Sequence, residues 1–138
     1  MAFRVYNIEQ KKWVKENIYL SPNDELFLLK KGLFGTIKVP LDNGQYVYHK
    51  GIFLYDKKNS LVYEGDYIKA KVDENKEVIG LVVYAHELSA YVILCVDSDE
   101  FFTLGSETTE FIEVIGNVFD GYKEEKKDGK QTLSESKE

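Results

Sequence analysis

A polar turn that feeds straight into an alternating strand constrains this chain more than any other feature. Tyr63-Glu64-Gly65-Asp66 puts glycine at the bend, where a positive φ carries no Cβ penalty. From there Ile68, Ala70 and Val72 share one face, and Tyr67, Lys69 and Lys71 share the other. Four more strand-like segments follow: Val78–Ala85, Tyr91–Val96, Phe101–Leu104 and Ile112–Val118. The links are short, as antiparallel neighbours require. Gly80, inside one segment, predicts a bend or bulge. The fold class expected is all-β, with an SH3-like barrel over residues 61–119.

Residues 1–60 read as an N-terminal β-hairpin subdomain. Phe3, Val5 and then Trp13, Val14 flank the polar connection Asn7-Ile8-Glu9-Gln10-Lys11. Asn17–Leu20 and Glu25–Lys30 flank Ser21-Pro22-Asn23-Asp24. That punctuation also suits a short capped helix over 22–31, but the brevity of Leu26-Phe27-Leu28-Leu29 favours strand. Asp42-Asn43-Gly44 is the strongest turn signal, and it predicts a type I′ hairpin over residues 34–49. Gly51–Asp56 adds an apolar stretch before the polar loop Lys57-Lys58-Asn59-Ser60. From Asp120 the apolar period stops. Residues 120–138 are expected to be a charged, disordered tail unless a neighbouring chain orders them.

Ten Tyr and eight Phe against two Pro lean the composition towards β structure. Cys95 is the single cysteine, so no intrachain disulfide can form. The N-terminus lacks the apolar core of a signal peptide, and no apolar run approaches the ~20 residues of a spanning helix. The expectation is a cytoplasmic protein without membrane partners. The net charge of −6 is uneven. Residues 1–58 carry ten Lys/Arg and six Asp/Glu (+4), and residues 59–138 carry eight and eighteen (−10). Opposed halves suit head-to-tail docking onto a second copy, or a basic half meeting an acidic partner.

Candidate chemistry is sparse. His49 and His86 sit in no metal-ligand cluster, and His86-Glu87 falls in a loop. Cys95 lies in an apolar strand with no basic neighbour to lower its pKa. Asp97-Ser98-Asp99-Glu100 lacks the glycine and distal glutamate of a calcium loop, and Lys30-Lys31-Gly32-Leu33-Phe34-Gly35 lacks phosphate-loop spacing. No catalytic residue, cofactor or metal is expected. Partner or nucleic-acid contacts fall to Arg4, Lys11, Lys12, Trp13, Lys15, Lys30 and Lys31, joined by Lys38 and the stacking groups Tyr6 and Tyr19. A sequence pI of 5.0 opposes a basic footprint, and lysines also guard exposed strand edges from aggregation.

Three segments together resemble the YopX family of phage and prophage proteins. They are Phe3-Arg4-Val5-Tyr6-Asn7 with Trp13 after a Lys-rich turn; Gly51 through Asp66, ending Leu61-Val62-Tyr63-Glu64-Gly65-Asp66; and Glu113-Val114-Ile115-Gly116-Asn117-Val118-Phe119. The stretch from Gly51 to Glu64 is longer than the family spacing, and Ser60 stands where the family has a turn glycine. The resemblance implies an SH3-like roll, a viral or prophage origin and no established activity. Tyr63, Glu64, Gly65, Asp66, Gly116 and Asn117 then read as an architectural turn motif whose carboxylates accept backbone N–H groups. The function expected is a non-enzymatic binding or assembly module that self-associates as a homo-oligomer or meets a host or phage protein. The alternative is a nucleic-acid accessory protein using the basic N-terminal face.

Overall fold

Alternating apolar and polar residues make strands throughout. The computed structural model describes residues 2–105, 111–125 and 131–134, and among them every regular element is β. The chain divides into two units, Ala2–His49 and Lys50–Glu138.

In the first unit, β1 (Phe3–Asn7) and β2 (Lys12–Trp13) form a hairpin with Tyr6 opposite Trp13. The Asn7 side-chain oxygen accepts the Gln10 N–H at 3.0 Å, and Lys11 takes φ +57° to close the turn. A separate three-stranded sheet contains β3 (Ile18–Leu20), β4 (Leu26–Gly32) and β5 (Gly35–Pro40), in that order. The helical alternative for 22–31 is thereby set aside. Ser21 Oγ accepts the N–H groups of Asn23 and Glu25, so the residues that suit a helix cap tie a β-turn instead.

The hairpin expected over residues 34–49 does not form. β5 turns back on β4 through Leu33-Phe34, with Gly32 opposite Gly35 and Gly35 at φ +122°. β6 (Tyr46–Tyr55) lies instead between β1 and β7 (Leu61–Tyr63). The reason is local chemistry at Asp42. Its carboxylate accepts the Gly44 N–H, and its carbonyl accepts those of Gln45 and Tyr46, each at 3.0 Å. Neither Asn43 nor Gly44 takes the positive φ that a type I′ turn requires.

The second unit holds β8 (Asp66–Asp73), β9 (Lys76–Ala85), β10 (Ala90–Cys95), β11 (Phe101–Thr103), β12 (Ile112–Asn117), β13 (Gly121–Glu125) and β14 (Gln131–Ser134). They form one sheet, ordered β11-β10-β9-β8-β12-β13-β14. Its core collects Ile68, Ala70, Val82, Ile93 and Ile112 with Ile52 from β6 and Val62 from β7. Gly51–Asp56, read with the first sixty residues, therefore helps to build this core. Gly80 is no bulge, because it pairs in register with both Ile68 and Cys95. Irregularities fall instead between Lys71 and Asp73 and between Val114 and Gly116.

Ordered chain also continues beyond 120. Tyr122 is buried, its ring 4.7 Å from that of Tyr67, and β13 pairs with β12 and β14. One aromatic with a buried partner supplies what the sparse apolar count of this segment concealed. Residues 126–130 and 135–138, the rest of the expected tail, lie outside the described residues.

Candidate functional site

The Tyr63–Asp66 turn is built as a brace. Gly65 takes φ +84°, donates its N–H to Val82 O and accepts from the Val118 N–H, both at 2.9 Å. The buried Asp66 carboxylate accepts the Tyr63 N–H at 2.8 Å. Glu64 reaches further, accepting the Lys50 N–H at 3.2 Å and the Tyr91 hydroxyl at 3.1 Å. Burial, then the Glu64 charge and its hydrogen bond, push the Tyr91 phenol up to about 12. Asn117 caps its own turn, its side-chain oxygen accepting the N–H groups of Phe119 and Asp120. At Gly116 an added Cβ would meet Gly121 O and lie 2.6 Å from Tyr122 Cβ, so only glycine lets β13 approach.

A carboxylate that the sequence reading passed over ties the same unit. Asp56 accepts N–H groups from Lys58 and Ser60 on Oδ1 and from Val114 of β12 on Oδ2. Burial raises its pKa, but the three backbone bonds and the Lys58 charge outweigh that and hold it below the ordinary 3.8. The signal was an Asx turn in Asp56-Lys57-Lys58-Asn59-Ser60, where Asn59 takes φ +66° in place of a turn glycine.

Of the basic candidates, Arg4 and Trp13 come together. The guanidinium lies 4.6 Å from the Trp13 ring centre, and Arg4 Nη2 is 3.4 Å from His49 Nδ1. Tyr6 packs edge-on against the same indole at 5.0 Å. Lys11 and Lys12 belong to that hairpin, and Lys15 follows it. Lys30 and Lys31 are elsewhere, near the end of β4 in the separate β4–β5 hairpin, while Lys38 sits over the rings of Tyr19 and Phe27 at 5.1 and 5.3 Å.

The other residues that sequence reasoning missed are apolar. Leu33 and Phe34 cap the β4–β5 hairpin at 91% and 96% exposure, and Ile37 beside them is also exposed. The only trace in the sequence was two glycines bracketing two large side chains. On the second unit Leu94 and Phe101 face each other across β10 and β11, both exposed, with Val96 on the same side. The turn between them is Asp97-Ser98-Asp99-Glu100, and Glu100 is paired with Lys76 Nζ at 2.9 Å. Cys95 is buried behind that face, where burial and the Glu100 and Asp97 charges outweigh a Ser98 hydrogen bond and push its thiol up. His86 meets Tyr84 edge-on at 4.9 Å, and Tyr84 meets Tyr91 at 5.0 Å. Two tyrosine rings thus stand along the contact path from His86 to Glu64.

Phe53 of β6 is exposed and strained. Between Gly51↔Tyr63 and Tyr55↔Leu61, β6 advances four residues while β7 advances two, and the surplus accommodates the long Gly51–Glu64 spacing. Phe53 absorbs it at φ +66° with 77% of its surface exposed. A left-handed bulky residue costs roughly 1–2 kcal/mol, against a glycine entropy cost of about 0.5–1. Phe53→Gly is therefore expected to raise stability by about 0.5–1 kcal/mol, and Phe53→Ala to give no such gain. Urea unfolding of the two variants checks this, and a destabilised Phe53→Gly would contradict it.

Sheets of antiparallel strands joined by turns that buried carboxylates tie define an all-β protein among the described residues. A family model described as YopX protein matches residues 2–122, and the chain belongs to the YopX family. The crystal structure of YopX from Bacillus subtilis is similar to it with a TM-score of 0.56 and 18% identity, covering 86% of this chain and 93% of that one. Identity that low relates the folds alone. A crystal structure of protein EF1440 from Enterococcus faecalis has a TM-score of 0.49 and 17% identity, over 85% and 92% of the two chains. No curated protein matches the chain.

Proposed function

We propose that the protein is a non-enzymatic binding and assembly module that works by self-association in the bacterial cytoplasm. The observation that carries this is the Leu33-Phe34 turn. A two-residue hairpin turn is ordinarily met by small or polar residues, yet here it holds two large side chains at 91% and 96% exposure. A clustered apolar tip ringed by polar residues is the mark of a surface that leaves water in a complex.

Charge supports a second copy as the partner. Ala2–His49 carries seven Lys/Arg and five Asp/Glu, a net +2, whereas Lys50–Glu138 carries eleven and nineteen, a net −8. The second unit reads best as an SH3-like barrel. The order β11-β10-β9-β8-β12 supports that, since the fifth strand returns beside the first. The family resemblance supports a phage or prophage origin. Among the described residues no helix is long and apolar enough to cross a membrane.

The nucleic-acid reading keeps one observation in its favour, Lys30 and Lys31 at the apolar tip. Against it, Arg4 covers a face of Trp13 that a base would need for stacking. Size-exclusion chromatography with light scattering at low and high salt tests the proposal. An oligomer that loosens as salt rises is the expected result. A monomer at both salts overturns self-association and makes duplex binding the reading to pursue.

A further inference from the structure

We propose that the Leu33-Phe34 tip docks head-to-tail on the outer face of the β10–β11 hairpin of a second copy of this chain. The inference rests on the self-association proposed above and names its two surfaces.

The two surfaces match in apolar area and in charge. From Leu26 to Leu41 the donor hairpin carries Lys30, Lys31 and Lys38 and no carboxylate. Its chemistry is ordered along its length, with Leu33 and Phe34 leading and Lys31 and Lys30 two to three residues behind Leu33. The receiving face offers the exposed trio Leu94, Val96 and Phe101 beside a turn holding Asp97, Asp99 and Glu100 and no Lys or Arg. Lys76 already holds Glu100, so Asp97 and Asp99 are the carboxylates left for Lys30 and Lys31. Seated there, the tip buries its two large side chains against three of the partner's and brings cations onto the acidic turn. Opposed potentials of this kind fix register and speed encounter.

Among the described residues β11 is also an end strand of its sheet, with a row of backbone groups turned away from β10. A nucleic acid or an anionic lipid surface offers negative charge too, but each would repel the −8 unit that travels with the tip. A second copy uses that same unit as the acceptor. The contact is heterologous, so every copy carries one tip and one face.

Two variants of the full chain test this, Lys30→Glu/Lys31→Glu at the tip and Asp97→Lys/Asp99→Lys at the face. All four positions are exposed, and thermal melts verify that each variant is folded. Each alone is expected to weaken association by about tenfold or more in light scattering. Mixed in equal amounts, the two variants should associate again in one-to-one proportion, because the unaltered tip meets the unaltered face and the reversed tip meets the reversed face. Both changes in one chain should restore association. Leu33→Ser/Phe34→Ser should weaken association without rescue by any charge change.

An oligomer that none of these variants weakens overturns the inference while leaving self-association standing. A monomeric wild type removes both. Tip-dependent binding of a short DNA duplex, or of phosphatidylglycerol vesicles, by a monomeric chain would reassign the tip and likewise overturn the inference.

Discussion

Gly80→Ala is expected to unfold the second unit or to destabilise it by about 3 kcal/mol or more, near the upper end for overpacking a closed core. Gly80 sits on an interior strand of the sheet, paired on one side with Ile68 and on the other with Cys95. A Cβ there would overlap Ile93 Cγ2 and stand 2.6 Å from the Leu94 carbonyl oxygen. The side chain of Ile93 is almost fully buried, and the carbonyl is backbone held in the ladder. Neither can move without disturbing β10 and the core beneath it, and a domain's whole stability is only about 5–15 kcal/mol. Gly105→Ala is the control. A Cβ at that position meets no atom of the described residues within 4 Å, and the cost should stay within about 0.5 kcal/mol. Equilibrium unfolding in urea separates the two, and a Gly80→Ala protein as stable as wild type would refute the packing argument.

The second large effect belongs to Asp56. Its carboxylate serves three backbone donors that span the β6–β7 turn and β12, and the residue is buried. Asp56→Ala is expected to cost about 2–4 kcal/mol, since buried N–H groups lose a charged acceptor. Asp56→Asn keeps one oxygen and should cost less.

The pH dependence follows from the direction of the shift. The folded-state pKa lies below the ordinary value of 3.8, so the folded protein holds this proton less tightly than the unfolded chain. The contribution is fully present above the unfolded-state value and is lost as pH falls from there through the folded-state pKa. The stability difference between wild type and Asp56→Asn should therefore be constant near neutrality and shrink in acid. Chemical unfolding across that range measures it, and a gap that widened in acid would show that the carboxylate is not the stabilising species.

Much of the second unit was legible because a two-residue period is local. Tyr67–Val72, Val78–Ala85, Tyr91–Val96, Phe101–Leu104 and Ile112–Val118 fall within two residues of β8 to β12 at every end. The motif segments that resemble the YopX family also lie within residues 2–122, which the family model matches. Pairing was another matter. Asn43-Gly44 looked like a hairpin turn, yet the Asp42 carboxylate captures the Gly44 N–H and β5 takes β4 as its partner. Leu33-Phe34 carried no recognised turn signature, so the real hairpin and its exposed tip went unread. Likewise Gly80 looked like a bulge because nothing local reveals that Ile93 and Leu94 press against its α-carbon.

From its sequence alone this chain determined an all-β fold, the positions of most strands and the positive-φ bend at Gly65, each set by period and by the stereochemistry of single residues. Tertiary structure alone decided which strand pairs with which, that Asp56 joins β12, that Tyr122 is buried on Tyr67, and that Leu33 and Phe34 remain in water. Those outcomes depend on which edge or apolar surface is already occupied by residues far away in the chain, and a local pattern holds no record of that competition.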